Sequence, residues 1–184
     1  MKIQFDKYQG AGNDFIIVDN RSGIYDLITT SQFHSMCNRF KGVGADGVIL
    51  IESHPVLDFE MRYFNSDGNL STMCGNGGRC LTKFAFDKGI HANTYHFTAS
   101  DGEHEAIIDK NGWIHLKMID VQEVSLVNDT TVLNTGSPHY IKPVSGLSKY
   151  DVFTEGKKIR YNETYNKIGI NVNFVEWNEN ELFV

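Results

Sequence analysis

The chain has 184 residues, of which 41% are hydrophobic, and this apolar content is ample for a packed core. It carries 17 Lys and Arg against 23 Asp and Glu, a net charge of −6, which argues against nucleic acid or an anionic membrane as a partner. We therefore expect a small-molecule ligand.

The start of the chain and its cysteines indicate a compartment. Residues Met1 to Asp6 lack the apolar run of a signal peptide, and no later stretch approaches the ~18 apolar residues of a membrane helix. The 3 cysteines are too few, and odd in number, for a disulfide framework, so we expect free thiols in a reducing environment. These features predict a cytoplasmic protein.

The first predicted elements are two strands that flank a loop. Ile3 and Phe5 alternate with polar residues, and an apolar run covers residues 15–18. The loop between them, Gly10 to Asp14, contains Asn13 at its far edge. Asparagine is a common turn former, so the residue type alone does not assign Asn13 a function.

A helix is predicted next, with Thr29 or Thr30 as its cap and Gly42 just beyond its end. Its apolar positions, spaced at i, i+3, i+4 and i+7, are Phe33, Met36, Cys37 and Phe40. We therefore expect Cys37 to be a core residue. His34 and Cys37 have helical metal-ligand spacing, but two ligands do not make a site, so we predict no metal.

Gly42, Gly44 and Gly47 have the spacing of a dinucleotide-binding fingerprint. That fingerprint requires the glycines to follow a strand and open a helix. Here a predicted helix precedes them, and Val48 to Ile51 follows as a strand, so no helix N-terminus would face a pyrophosphate. We therefore predict neither a nicotinamide nor a flavin cofactor.

The most informative stretch is Asn65 to Phe86, in which a turn and a cysteine lead into a helix. The strand Phe59 to Phe64 must end at the turn formed by residues 65–68. The sequence Gly75-Asn76-Gly77-Gly78 follows Cys74 and precedes a helix predicted from Arg79 to Lys88. The glycines are therefore expected at a helix N-terminus.

A helix N-terminus presents free backbone N–H groups and the positive end of the helix dipole, so a carboxylate can bind there and a thiolate is favoured. This pattern suits proton removal next to a carboxylate, with Cys74 as the acid or base. A Cys74–Cys80 disulfide or metal pair is the alternative. Cys80 lies more than a turn further along the same helix, however, and cannot act from the opposite side of a substrate.

Three later strands, separated by two turns, are predicted as an antiparallel meander. They are Tyr95 to Thr98, Glu103 to Ile108 and Trp113 to Met118. Strands on both sides of one apolar helix predict an α+β fold with a curled, mostly antiparallel sheet wrapped around it. We place a boundary near Asp120, which gives domains 1–120 and 121–184, and expect about four strands and a short helix in the second.

Four ordered motifs resemble those of the diaminopimelate epimerase family. They are Gly10 to Phe15, Gly42 to Gly47, Phe64 to Cys80 and Thr135 to His139. The resemblance covers the whole chain and implies a curled-sheet domain that occurs twice. It also implies a cofactor-independent, pyridoxal-phosphate-independent amino-acid epimerase that interconverts L,L- and meso-diaminopimelate in lysine and cell-wall precursor biosynthesis. Such a protein could assemble as a homodimer.

The resemblance also implies roles for individual residues. Cys74 resembles the first of the family's two catalytic cysteines, one of which comes from each domain. The implied substrate-binding residues are Asn13, Asn65, Gly75, Asn76 and Asn171. Amides can donate to a carboxylate and accept from an ammonium, although each asparagine could instead be a turn or cap residue.

Three further positions qualify the resemblance. Ser137 stands where many members have Asn, and Gly47 stands where a member can carry Gln. His139 could orient the catalytic pair, but an ordinary packed histidine is an equally simple interpretation.

The family's second cysteine motif is expected after Val184. From the sequence we therefore expect this chain alone to be inactive as an epimerase, with an incomplete second domain. Three alternatives stay open: a truncated non-catalytic relative, a fragment that only binds substrate, and an isomerase of the same fold that uses a carboxylate base.

Overall fold

The computed structural model describes residues 2–184, and the chain divides into two compact units, Met1–Met118 and Ile119–Val184. The elements of the first unit are β1 (Asp6–Gly10), β2 (Asn13–Asp19), α1 (Thr30–Cys37), β3 (Gly47–Glu52), β4 (Phe59–Asn65), α2 (Gly75–Asp87), β5 (Tyr95–Ala99), β6 (Gly102–Ile108) and β7 (Ile114–Lys117). Those of the second are β8 (Val124–Val127), β9 (Thr130–Asn134), β10 (Pro138–Pro143), α3 (Val152–Arg160), β11 (Asn171–Asn178) and β12 (Glu181–Phe183).

The first unit is a seven-stranded sheet in which the strands follow their order in the chain. Helices α1 and α2 make the connections between the parallel pairs β2–β3 and β4–β5, and the other neighbouring strands are antiparallel. Helix α2 contacts both edge strands, β1 and β7, as well as strands between them. The sheet must therefore curl around α2, and the predicted α+β fold is confirmed.

Strands β2 and β3 are buried on both faces because one helix lies on each side. Successive strand residues point to opposite faces. Phe15, Ile17, Ile49 and Ile51 lie in the cluster with α2, whereas Ile16, Val18, Val48 and Leu50 lie in the cluster with α1. Helix α2 contributes Leu81 and Phe84 to its cluster, and α1 contributes Phe33 and Cys37 to the other. The prediction that Cys37 is a core residue is confirmed.

Helix α1 begins as predicted but ends sooner. Thr29 and Gln32 form a capping box, in which the side chain of each residue accepts a hydrogen bond from the backbone N–H of the other. The backbone becomes extended at Asn38, whose side chain accepts from the N–H groups of Phe40 and Lys41 at 2.9 Å each. The prediction that Phe40 lies on the buried face of the helix is wrong, because its side chain is 99% exposed.

Two other predictions from the sequence differ from the structure. Ile3 and Phe5 precede the first strand, which begins at Asp6. The second unit contains five strands instead of four. The additional strand arises from the β8–β9 hairpin, whose turn residue Asn128 has φ 52°, a left-handed conformation that asparagine tolerates.

In the second unit the sheet order is β12-β11-β10-β9-β8. Strands β10 and β11 are parallel, and helix α3 lies in the connection between them, capped by the Asp151 side chain. The predicted short helix is thus confirmed. Across residues 2–184, no helix is long and apolar enough to cross a membrane.

Candidate active site

Cys74 is the N-cap residue of α2. Its backbone is extended, with φ −122° and ψ 115°, and its carbonyl oxygen accepts from the Gly78 N–H at 2.8 Å. Its side chain makes no capping hydrogen bond. The first N–H groups of a helix have no partner within the helix, so the half-buried thiol of Cys74 lies beside donors that can bind an anion. The prediction that the glycines lie at a helix N-terminus is confirmed, but the helix begins at Gly75 and not at Arg79 as predicted.

Glycines in the first turn of α2 allow the helix to approach the sheet closely. A Cβ atom on Gly77 would lie 3.0 Å from Ile49 Cδ1 and 3.1 Å from Met61 Cε. A Cβ atom on Gly78 would lie 2.7 Å from Met73 Cε. Larger residues would therefore push the turn, and with it Cys74, away from β3 and β4.

The β1–β2 hairpin brings Asn13 to Cys74. Asn13 is the first residue of β2 and pairs with Gly10 across the hairpin. A Cβ atom on Gly10 would lie 3.3 Å from Cys80 Sγ and 3.4 Å from the backbone carbonyl oxygen of Asn76, so the hairpin packs directly against α2. The Cys74 thiol donates to Asn13 Oδ1, with Sγ and Oδ1 3.6 Å apart.

An ionic cluster supports Asn13 from the other side. Asn13 Nδ2 donates to Asp46 Oδ2 at 2.7 Å, and Arg39 bridges Asp46 and Asp14 at 2.8 and 2.7 Å. Lys7 makes a second ion pair with Asp14 at 2.7 Å. The hydrogen bond from Arg39, together with Lys7, holds the pKa of the Asp14 carboxyl well below its usual range.

Asp46 was not assigned a role from the sequence, although it lies within one of the four motifs. The register of two strands is what places Asp46 in the site. β2 and β3 are parallel with Phe15 opposite Gly47, which places the preceding residues, Asp14 and Asp46, side by side. This juxtaposition is not encoded in local spacing.

The amide of Asn76 also has an ionic partner. The guanidinium of Arg79, one turn further along α2, donates a hydrogen bond to Asn76 Oδ1. Because a guanidinium only donates, the amide oxygen must face it, and the amide nitrogen of Asn76 is turned away as a donor. Gly75 lies in the same first turn. Cys74, Gly75, Asn76 and Asn13, four of the predicted site residues, are therefore brought together.

Tyr63, which the sequence did not single out, occupies the space beside Gly47. A Cβ atom on residue 47 would lie 2.4 Å from Tyr63 Cε2 and 3.0 Å from Tyr63 Oη. The ring packs edge-on against Phe15, with centroids 5.8 Å apart. Burial, followed by the charges of Cys74 and Asp46, raises the pKa of Tyr63 above its usual value. The glycine is thus required by this aromatic ring.

Asn65 lies at the end of β4 and pairs with Gly47. Its carbonyl accepts from the Gly68 N–H at 2.8 Å, and its own N–H donates to the Asn69 carbonyl at 3.0 Å. The backbone of Asn65 therefore closes the predicted turn, while its side chain is exposed.

The other two cysteines lie in different environments. Cys37 and Cys80 are buried, and burial raises the pKa of each thiol to about 11. All three cysteines are free thiols, so the structure contains no Cys74–Cys80 disulfide. Cys74 is the thiol with partial access to solvent.

The predicted residues of the second unit gather at the start of two neighbouring strands. His139 pairs with Asn171 in the parallel β10–β11 ladder, and Ser137 directly precedes β10. Asn173 Nδ2 donates to His139 Nδ1 at 3.0 Å, a partner not predicted from the sequence. Burial lowers the pKa of His139, and the Asn173 hydrogen bond opposes this effect.

Two solved structures share this fold. The phenazine biosynthesis protein of the PhzF family from Bacillus anthracis matches with a TM-score of 0.54 and 19% identity, over 97% of this chain and 67% of its own. A hydroxyproline epimerase from Agrobacterium vitis matches with a TM-score of 0.56 and 14% identity, over 80% and 52%. At these identities the similarity defines the class of fold alone.

Sequence comparison then gives the family. A diaminopimelate epimerase family model matches residues 5–124. The diaminopimelate epimerase of Flavobacterium psychrophilum is 50% identical over 169 residues, which is 92% of this chain and 66% of the relative. That of Chlorobaculum tepidum is 44% identical over 175 residues, which is 91% of this chain and 67% of the relative. The chain belongs to the diaminopimelate epimerase family, and it spans about two thirds of the length of these relatives.

Proposed function

We propose that the protein is a cofactor-independent amino-acid epimerase that interconverts L,L- and meso-diaminopimelate in the cytoplasm. This reaction would serve lysine and cell-wall precursor biosynthesis and needs no pyridoxal phosphate. The family relationship supports the substrate. The observation that carries the chemistry is the Cys74 thiol at the N-terminus of α2, 3.6 Å from the Asn13 amide oxygen.

In this proposal Cys74 is the acid/base group on one face of the substrate α-carbon. As a thiolate it takes the α-hydrogen as a proton, and the electron pair of the broken C–H bond stays on the α-carbon, delocalised toward the carboxylate. A second acid on the opposite face then supplies a proton, which inverts the centre. The family resemblance implies that this second group is also a cysteine.

The substrate carboxylate is assigned to the N-terminus of α2. Backbone N–H groups of the first turn, which includes Gly75, and the Asn76 amide nitrogen are suited to receive it. The N–H groups and the positive end of the helix dipole would stabilise the negative charge of a carboxylate bound there, and the substrate α-carbon would then lie near the thiol. We propose Asn65 and Asn171 as further substrate ligands, with Ser137 and His139 in supporting roles.

The domain organisation is part of the same proposal. We assign residues 1–120 to a domain that carries Cys74, and residues 121–184 to part of a second domain that carries Asn171, Ser137 and His139.

Because this chain alone is expected to be inactive, the test is made on the protein at the full length of its relatives. It is isotope exchange and epimerisation with L,L-diaminopimelate in D₂O, followed by mass spectrometry and chiral separation. We expect Cys74→Ala to reduce epimerisation about 10²–10⁴-fold, the usual contribution of a general acid or base. Cys37→Ala is the matched control, because Cys37 is a buried thiol on the α1 side of the sheet. Wild-type turnover in Cys74→Ala, with the circular dichroism spectrum unchanged, would refute the proposal.

A further inference from the structure

Asp46, Asn13 and Cys74 form a continuous chain of two hydrogen bonds. Asn13 Nδ2 donates to Asp46 Oδ2 at 2.7 Å, and Cys74 Sγ donates to Asn13 Oδ1 at 3.6 Å. Asp46 directly precedes β3, and Cys74 is the N-cap residue of α2. The amide of Asn13 therefore links the ionic cluster to the thiol.

The orientation of this amide is fixed by chemistry. An ionised carboxylate only accepts hydrogen bonds, so the Asn13 nitrogen must face Asp46. The Asn13 oxygen then faces Cys74, and an amide oxygen is also only an acceptor. It can receive the S–H of a thiol, but it offers no donor to a thiolate.

Asp46 is itself held in place. Its Oδ1 accepts from Arg39 at 2.8 Å, its Oδ2 also accepts from the Asp14 N–H at 3.1 Å, and its own N–H donates to the Asp14 carbonyl at 2.9 Å. The charged and titratable groups near the thiol include Asp46, Asp14, Arg39 and Lys7 on the side of Asn13, with Tyr63 from β4 and Cys80 and Arg79 from α2.

We propose that Asp46 is a positioning residue that orients the Asn13 amide so that its oxygen accepts the Cys74 proton. Cys74 is thereby kept as a proton donor in the free protein. This inference rests on the proposed acid/base role of Cys74 and adds the group that orients the acceptor of its proton. The free N–H groups at the start of α2 favour a thiolate, and the Asn13 oxygen opposes them. In the reverse role that oxygen must bind another donor, and a substrate ammonium is such a donor.

The test is the rate of Cys74 alkylation by iodoacetamide across pH, followed by peptide mass spectrometry, because the thiolate is the reacting form. In Asp46→Asn the side chain can donate as well as accept, so the Asn13 amide can reverse and present its nitrogen to sulfur. We expect Cys74 to react about five- to tenfold faster at pH 7. Asp46→Glu, which keeps the carboxylate, should return the rate toward the wild-type value.

Loss of negative charge alone must be separated from loss of orientation. Asp14→Asn is the matched control, because it removes a neighbouring carboxylate but leaves the Asn13–Asp46 bond intact. We expect at most a twofold change there. In an Asn13→Ala background, Asp46→Asn should add nothing, since its effect passes through the amide. The same acceleration in that background, or in Asp14→Asn, would overturn the proposal.

Folding is monitored in the same samples, because Cys37 and Cys80 become labelled when the core opens. If Asp46→Asn does not fold, Asn13→Ala alone serves, since it removes the acceptor and leaves the ionic cluster in place. Faster Cys74 alkylation in that variant supports the proposal, and an unchanged rate overturns it. Alkylation needs no turnover, so its outcome is independent of whether the protein epimerises diaminopimelate.

Discussion

Replacement of Gly47 by alanine should destabilise the first unit far more than one added methyl group usually does. The new Cβ would lie 2.4 Å from Tyr63 Cε2 and 2.5 Å from the Phe64 carbonyl oxygen. Ordinary contacts between carbon atoms are about 3.5–4.0 Å, so roughly 1 Å of displacement is needed. β3 is hydrogen-bonded on one side to β2 and on the other to β4, so its backbone has little freedom to move.

Overpacking of a core typically costs about 1–3 kcal/mol, and we expect the upper end here because one of the two clashing atoms belongs to the backbone. The assay is native-state hydrogen exchange of the buried amides in β2 and β3. A loss of about 3 kcal/mol corresponds to exchange about a hundredfold faster. Gly112→Ala is the control, since Gly112 has φ +83° with no atom within 4 Å of its Cβ position, and we expect about 1 kcal/mol from the backbone alone.

A second mutation identifies the source of the clash. Tyr63→Ala removes the ring but leaves the Phe64 carbonyl, so the Gly47→Ala/Tyr63→Ala pair should be less destabilised than the sum of the single variants, by about 1 kcal/mol or more. Strict additivity, or a Gly47→Ala cost no larger than that of Gly112→Ala, would refute the argument.

The remaining predictions concern thiol access, acid and local stability. Brief alkylation at neutral pH should label Cys74 first, because burial raises the pKa of Cys37 and Cys80 to about 11. All three thiols should react in urea. Labelling of Cys37 before Cys74 would contradict the assignment. The lowered pKa of Asp14 means that its ion pairs stabilise the fold fully above the unfolded carboxyl pKa of about 4, and that this contribution is lost progressively as pH falls from there through the lowered folded pKa. Asp14→Asn should therefore show a shallower loss of stability than wild type in an acid titration, by less than about 1 kcal/mol because the group is partly exposed, and equal slopes would contradict this. Amide exchange should be slow in the first unit and fast in the second, where β8 is exposed along its length and α3 buries no residue, and equal protection in both would be evidence against it.

The helix start at Cys74 could be predicted because its signals are local. Turn residues before the cysteine, glycines after it and apolar residues at helical spacing all lie within one stretch of chain. The central helix then implied the curled sheet, since apolar strands on both sides of it had to be covered. Family motifs supplied Asn13 and Asn76. The structure places Asn13 beside the thiol and Asn76 in the first turn of the helix that follows Cys74.

The supporting contacts could not be predicted, because they depend on how distant strands align. Asp46 meets Asn13 through the parallel register of β2 and β3, and Tyr63 covers Gly47 through the pairing of β3 with β4. The end of α1 was missed for a different reason. Apolar spacing continued to Phe40, but the Asn38 side chain binds the following N–H groups and ends the helix first.

The sequential order of the seven strands has a consequence for biosynthesis. Each strand pairs with the one made just before it, so the sheet can grow as the chain leaves the ribosome. Asn13, Asp46 and Cys74 are all synthesised before β5, whereas α2 also packs on β6 and β7. The surroundings of the thiol can therefore assemble while the far side of α2 is still uncovered, and the apolar surface exposed at that stage is open to aggregation and to chaperone binding.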